Sequence, residues 1–349
     1  MEFPLKPFLG FLFGLLSGIS LILNLITIIA VFRLAFCKRK NPVYIVSFFN
    51  ILSDVFQVSA ATFYSAPSII TSSFLTSFSK TNTLNTTLSS IFLFLWYFET
   101  ILQVVMGLNR YVIICLQKHK IFTFRTTILL IVLSIPVSLG FMFKSQYWNL
   151  CCTFVYDHNY LSYSYNVIEG VANSSNNFDV PLNALSSVVS AFFYVMIFWT
   201  VHKSTPNSST GEEQKLRRER DVKYAFQFCL LLIFYICAWS LFRILPLIIA
   251  NHGIEWFVLI PMFYTLNCTS NAIIYLGFNS EVQENLKPQK LQSILRILKF
   301  MKPEPSFQDV SLANATNASS VAPIRHVALR FVPKKIHQPF RSIGVREGP

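Results

Sequence analysis

Two carboxylic acids, Asp54 and Glu99, and two guanidinium groups, Arg110 and Arg243, stand inside long runs of apolar residues. Inserting one such charge at the centre of an apolar helix costs about 2.5–3.5 kcal/mol. Each therefore needs a partner, an ion, a water-filled cavity or a route to the headgroups. Two acids close together in a low dielectric will not both ionise unless a cation joins them, so they hold a cation or share one proton. An arginine either snorkels outward along its apolar stem or meets an anionic group. Asn24, Asn267 and Asn271 add neutral donors and acceptors to the same kind of environment. The seven cysteines show no metal-ligand spacing and no thiol–His–Asn arrangement, and Asp54 with Glu99 is the only candidate catalytic dyad. No enzyme is read here.

The elements that must carry these residues follow from composition. The chain has 349 residues, 53% hydrophobic and 13% charged, with mean hydropathy +0.49. A soluble chain carries about 25% charged residues, and the apolar residues here come in blocks near the ~20 needed to cross a bilayer. The expected architecture is an all-α membrane protein, a seven-transmembrane helix bundle with spans at about 8–32, 43–70, 86–116, 126–143, 181–201, 223–250 and 256–278. Pro7 to Phe32 is 26 uncharged residues, too long for a signal-peptide core, and reads as a retained first span. The seven-span region is 1–302, closing with a basic amphipathic helix at about 281–302 on the inner leaflet. Residues 303–349 read as a disordered cytoplasmic tail.

Charge sets the orientation. Arg33, Lys38, Arg39 and Lys40 follow span one; Lys118, Lys120 and Arg125 follow span three; Lys203, Lys215, Arg217, Arg218 and Arg220 follow span five. The opposite loops hold Lys6, Lys80 and Lys144 and little else. Alternate loops are basic, which places the N-terminus outside and the C-terminus in the cytoplasm. The net charge of +13 is thus a membrane signal and gives no reason to expect a nucleic-acid partner. Asn85 and Asn173 begin glycosylation sequons in loops assigned outside. The outer loop from Lys144 to Asp179, with Tyr147, Trp148, Phe154, Tyr156, Tyr160, Tyr163 and Tyr165, reads equally as an interfacial aromatic belt or as a lid over a cavity.

A rise of about 1.5 Å per residue gives depths from the cytoplasmic side of about 18 Å for Asp54, 16 Å for Glu99, 14 Å for Asn24, 12 Å for Asn271 and 18 Å for Asn267. Five polar residues from four helices share one layer. Arg243 lies in the outer third, where it snorkels past Asn251 or borders an outer cavity with Trp96 and Tyr264. Trp148 is a further ligand-contact candidate from the outer loop.

Asn24, Asp54, Asn109-Arg110-Tyr111 and Asn271-Ala272-Ile273-Ile274-Tyr275, in order on seven spans, resemble the rhodopsin-like G-protein-coupled receptors over about residues 8–300. Asn24 matches the first-helix asparagine, Asp54 the second-helix aspartate, Arg110 the arginine of the Asp-Arg-Tyr motif, and Asn271 to Tyr275 the Asn-Pro-x-x-Tyr motif with alanine for proline. Asn109 replaces the usual acid, the fourth helix lacks its tryptophan, and Cys237, Trp239 and Pro246 only approximate the sixth-helix motif. No cysteine stands at the outer end of span three, so no bridge is expected from Cys151 or Cys152 to that helix. These departures, with the aromatic loop, look like the nematode serpentine chemoreceptor families, class X among them.

The resemblance implies a chemosensory receptor in the plasma membrane, in a sensory cilium for these families, that takes a small molecule from outside and activates a heterotrimeric G protein. Asn24, Arg110, Tyr111, Tyr275 and Trp239 then form the activation switch, and Arg110, Arg217, Arg218 and Arg220 part of the docking surface. Asp54, Glu99, Asn267 and Asn271 correspond to the pocket that holds sodium in related receptors; no other cofactor is implied. A seven-helix ligand-gated cation channel or a small transporter is the alternative. Channels of that helix count have a cytoplasmic N-terminus, against the loop charges, and the chain shows no internal repeat of the kind common in transporters.

Overall fold

The computed structural model describes residues 5–75, 79–118, 120–148, 153–166, 176–203, 212–249 and 253–286. Among these, seven helices are long and apolar enough to cross a membrane. The cores of the seven spans are α1 (Leu5–Phe32), α2 (Val43–Ala60), α3 (Thr83–Ile114), α4 (Phe124–Phe143), α5 (Asn176–Lys203), α6 (Glu212–Ile249) and α7 (Leu259–Phe278), followed by the short α8 (Ser280–Asn285). Cys151, Cys152, Asn173, the tail at 303–349 and all but the first turn of the expected amphipathic helix lie outside the described residues.

The first helix shows how a bundle forms where no water drives it. Gly10, Phe13, Ser17, Ser20, Asn24, Thr27 and Val31 recur at three- and four-residue steps and are all buried. Phe8, Phe11, Leu15, Ile19, Ile22, Leu25 and Ile29 occupy the exposed side. Lipid competes with protein for large apolar groups, so close packing of small and polar residues supplies the association. Gly10 is the tightest case: a Cβ there would stand 2.8 Å from Ile69, a contact that only glycine avoids.

The second span does not run straight. After Ala60 the chain makes a π-helical turn (Ala61–Ser65) before resuming as a helix over Ala66–Thr71. Pro67 has no N–H to give the preceding turn, and a π turn absorbs the unmatched carbonyl. Ser72, at φ 51°, ends the segment in the left-handed region.

Helix α3 is the 32-residue centre of the bundle, packed against α2, α4, α5, α6 and the outer loop. Asn82 starts it by accepting a hydrogen bond from the Asn85 N–H at 2.8 Å. Thr123 does the same for α4, through the Thr126 N–H at 3.2 Å. Asn279 caps α8 at the Val282 N–H, 3.1 Å away.

The outer loop folds into an antiparallel hairpin, β1 (Phe154–Asp157) and β2 (Ser162–Tyr165), with Phe154 opposite Tyr165 and Tyr156 opposite Tyr163. A two-stranded hairpin is marginal by itself, and here it is tied down from several sides. Ser89 Oγ accepts from the Tyr156 N–H at 3.1 Å, and Asn85 Nδ2 donates to the Tyr156 carbonyl at 2.8 Å. The Tyr156 hydroxyl donates to the Ser65 carbonyl at 2.9 Å, inside the π turn of the second span. Gln146 pairs with both backbone groups of Phe154, and Lys80 forms an ion pair with Asp157 at 2.9 Å.

Candidate ligand cavity and inner polar pocket

At the outer end of the bundle a cavity of about 590 Å³, including its mouth, is walled by α3, α5, α6, α7 and the hairpin. Trp96, Tyr264 and Arg243 share this wall with Phe92, Trp239 and Phe242. The hairpin contributes Phe154, Tyr163 and Tyr165, which decides between belt and lid: these three rings face the cavity. Phe92 and Tyr163 stack at 4.2 Å between ring centroids, and Phe92 and Tyr264 lie 4.7 Å apart. Such a wall favours apolar or aromatic guests.

Arg243 neither snorkels nor points at lipid. Its Nη2 lies 3.2 Å from Asp179 Oδ2, and its guanidinium sits 5.4 Å from the Phe242 ring centroid and 5.8 Å from that of Tyr165. Asp179 also accepts from the Tyr97 and Tyr165 hydroxyls, so one carboxylate joins α3, α5, α6 and the hairpin. Sequence reasoning missed Asp179. The available signal was a lone acid at the outer end of span five, level with an otherwise unmatched arginine in span six.

Below this cavity lies a second, smaller polar space lined by Glu99, Asn267 and Asn271 together with Asn50, Gln103, Tyr235 and Ser270. Asp54 reaches it through Asn271, whose Nδ2 donates to Asp54 Oδ2 at 2.7 Å. Asp54 and Glu99 are both buried, 1% and 6% exposed. Glu99 accepts from Gln57 Nε2, and Gln57 Oε1 accepts from the Tyr264 hydroxyl. Gln57 is the second residue that sequence reasoning passed over; it lies one turn beyond Asp54 on the same face. The lining offers one carboxylate with side-chain amide and hydroxyl oxygens, and Asp54 stands behind Asn271; oxygen donors of this kind suit a hard cation. Among the described residues no three His, Cys, Asp or Glu side chains converge on one point.

The residues that the resemblance assigns to a switch are packed between helices. Asn24 Nδ2 donates to the Cys268 carbonyl at 3.2 Å, joining α1 to α7. Arg110 is buried with its guanidinium 4.8 Å from the Phe228 ring centroid on α6. Tyr111 stacks on Phe193 of α5 at 5.4 Å, and Tyr275 hydrogen-bonds Ser47 of α2. Trp239 lines the outer cavity and gives its indole N–H to Ser187 Oγ at 3.1 Å. The side chains of Arg217, Arg218 and Arg220 lie outside the described residues.

Two expectations need correction. Trp148 is 69% exposed and stands away from the cavity wall, at the end of the π-helical turn that closes the fourth span. Asn85 is fully buried, and its amide nitrogen, the atom that would carry a glycan, donates to the carbonyls of Lys80 and Tyr156 at 2.7 and 2.8 Å. A sequon reports only a local triplet, whereas this amide is committed to holding the hairpin.

The fold defines a seven-helix membrane bundle of the rhodopsin type. Squid rhodopsin superposes with a TM-score of 0.69 at 14% identity, over 93% of this chain and 94% of that one, which establishes the shared architecture. No curated protein matches the sequence. Residues 15–279 match the family described as serpentine type 7TM GPCR chemoreceptor Srx, and the chain belongs to that family.

Proposed function

We propose that this receptor binds an extracellular small molecule in the outer cavity and activates a heterotrimeric G protein at its cytoplasmic face. It acts from the plasma membrane, in a sensory cilium by analogy with the family's chemosensory role. The observation that carries the reading is the aromatic cavity at the end of the bundle, with the hairpin forming part of its wall. Trp239 joins this cavity to α6, and Arg110 meets α6 again at Phe228, so a shift of α6 driven from the cavity changes the cytoplasmic end. Arg110 and the basic segment at Arg217, Arg218 and Arg220 then face the G protein. The donor set of the inner pocket supports a bound sodium ion or one proton shared between Asp54 and Glu99. Sodium there would offset one of the two carboxylate charges and hold α2, α3 and α7 together.

The test is expression of the full chain with a G-protein activation reporter and a panel of small organic molecules. Compounds that activate the receptor should lose potency when Ala238, on the cavity wall, is replaced by tryptophan, and Arg110→Ala should abolish signalling while leaving binding. Activation that persists with the cavity filled would refute the site.

A further inference from the structure

Among the described residues that line the outer cavity, only Asp179 and Arg243 carry a charge, and they are joined to each other. Arg243 Nη2 and the Tyr165 hydroxyl both meet Asp179 Oδ2, and the Tyr97 hydroxyl donates to Oδ1. Three donors on two oxygens is the setting of an ionised carboxylate, which only accepts. One acid and one base give the wall a formal charge of zero. The neutral amide beside them is engaged as well. Asn183 Nδ2 donates to the Asp179 carbonyl at 2.9 Å, and its Oδ1 accepts from the Trp96 indole at 3.1 Å and the Tyr235 hydroxyl at 2.7 Å.

A wall built this way sorts guests by charge. The Asp179 and Arg243 side chains are 6% and 20% exposed, so both ions are largely out of water. An anionic guest gains a partner only if Arg243 turns to it, which leaves a buried carboxylate on two phenols with no cation. A cationic guest competes for Asp179 and leaves the guanidinium unmatched. In either case one ion more than the wall can pair is taken out of water, and burying an unpaired ion is far costlier than burying a neutral polar group. A neutral guest leaves the pair intact, and the rings of Phe92, Trp96 and Tyr264 supply the attraction.

We infer that the guest of the outer cavity is an uncharged aromatic molecule, and that the Asp179–Arg243 pair excludes charged molecules of the same shape. The inference rests on the reading of this cavity as the ligand site and adds the class of ligand to it. The two ions stand on different helices, α5 and α6, so either can be neutralised alone. With Asp179 made neutral, the guanidinium is matched by an anionic guest. With Arg243 made neutral, the carboxylate is matched by a cationic one. A pair that only held the helices together would weaken all guests alike, whereas a charge filter changes their order.

The test is equilibrium dialysis of the full chain in lipid nanodiscs against acetonaphthone, naphthoate and naphthylmethylammonium, all substituted at the same ring carbon. Only the binding that Ala238→Trp removes is counted, which sets aside partition into lipid. The native chain should bind the ketone, and each charged probe about tenfold or more weakly. Asp179→Asn should bring naphthoate level with the ketone or above it and leave the ammonium weak. Arg243→Gln should do the reverse, and it carries the comparison alone if Asp179→Asn does not fold. A charged probe that the native chain binds as tightly as the ketone, or an order of preference unchanged in the folded variants, would overturn the inference and leave the cavity reading standing. Binding of no probe that is sensitive to Ala238→Trp would remove the cavity reading and the inference together.

Discussion

Asp179 holds more of the outer end together than Arg243 does, and replacing each in turn tests that asymmetry. The carboxylate accepts from two tyrosine hydroxyls and one guanidinium. Asp179→Ala therefore removes the acceptor of three donors, whereas Arg243→Ala leaves the carboxylate held by both phenols. Hydrogen bonds inside membrane proteins average about 0.6 kcal/mol because the unfolded chain in the membrane also finds partners. Three of them give a floor of about 2 kcal/mol. Leaving a buried ion unpaired raises the loss toward 3–5 kcal/mol, and the ceiling is not reached because the Arg243 side chain is 20% exposed. At about 2–4 °C per kcal/mol, the floor corresponds to a fall in melting temperature of roughly 4–8 °C for Asp179→Ala. Arg243→Ala should cost about a third of that, and the double variant should cost little more than Asp179→Ala alone. The assay is the thermal midpoint of the detergent-purified receptor followed by fluorescence-detected size exclusion. Equal losses for the two single variants, or strict additivity in the double, would refute the description of Asp179 as the shared acceptor.

Glycan mapping in intact cells should show Asn173→Gln removing a mobility shift and Asn85→Gln removing none; a glycan on Asn85, or labelling of a site at Asn207, would contradict the packing or the orientation. Asn85→Ala should instead lower the melting temperature, since two buried hydrogen bonds are lost, each worth about 0.5–1.5 kcal/mol. Sodium chloride should raise the melting temperature above that in choline chloride at equal ionic strength, and Asp54→Asn should abolish the difference; identical midpoints in the two salts would exclude a sodium site. His158, packed 4.4 Å from the Phe74 ring, is a base whose pKa burial lowers, with a further push from Lys6. The unfolded chain therefore binds the proton more readily, and the hairpin's stability is complete above the ordinary histidine value of about 6.5 and falls as the pH drops through and below it. Comparing thermal midpoints in neutral and mildly acidic buffer should show a larger acid loss for the native chain than for His158→Gln, and equal losses would discard the idea.

The sequence by itself determined the seven spans, because a bilayer imposes a length and a polarity that composition cannot hide. Its loop charges supply the orientation, and the spacing of Asn24, Asp54, Glu99 and Asn271 indicates their common layer, since depth along a helix is simple arithmetic. What arithmetic cannot supply is azimuth, the direction in which a residue faces around its helix, or the course of a loop between helices. Arg243 illustrates the first: its depth allowed a route to lipid as well as to the cavity, and only the packing of α5 and the hairpin brought Asp179 to it. Gln57 was invisible for the same reason, as its meaning lies in two partners from other helices. The outer loop illustrates the second. Its tyrosines suited a belt or a lid alike until the Phe154–Tyr165 pairing turned three rings inward and left Trp148 outside. Asn85 shows the converse, a triplet with a clear local meaning that tertiary hydrogen bonds overrode.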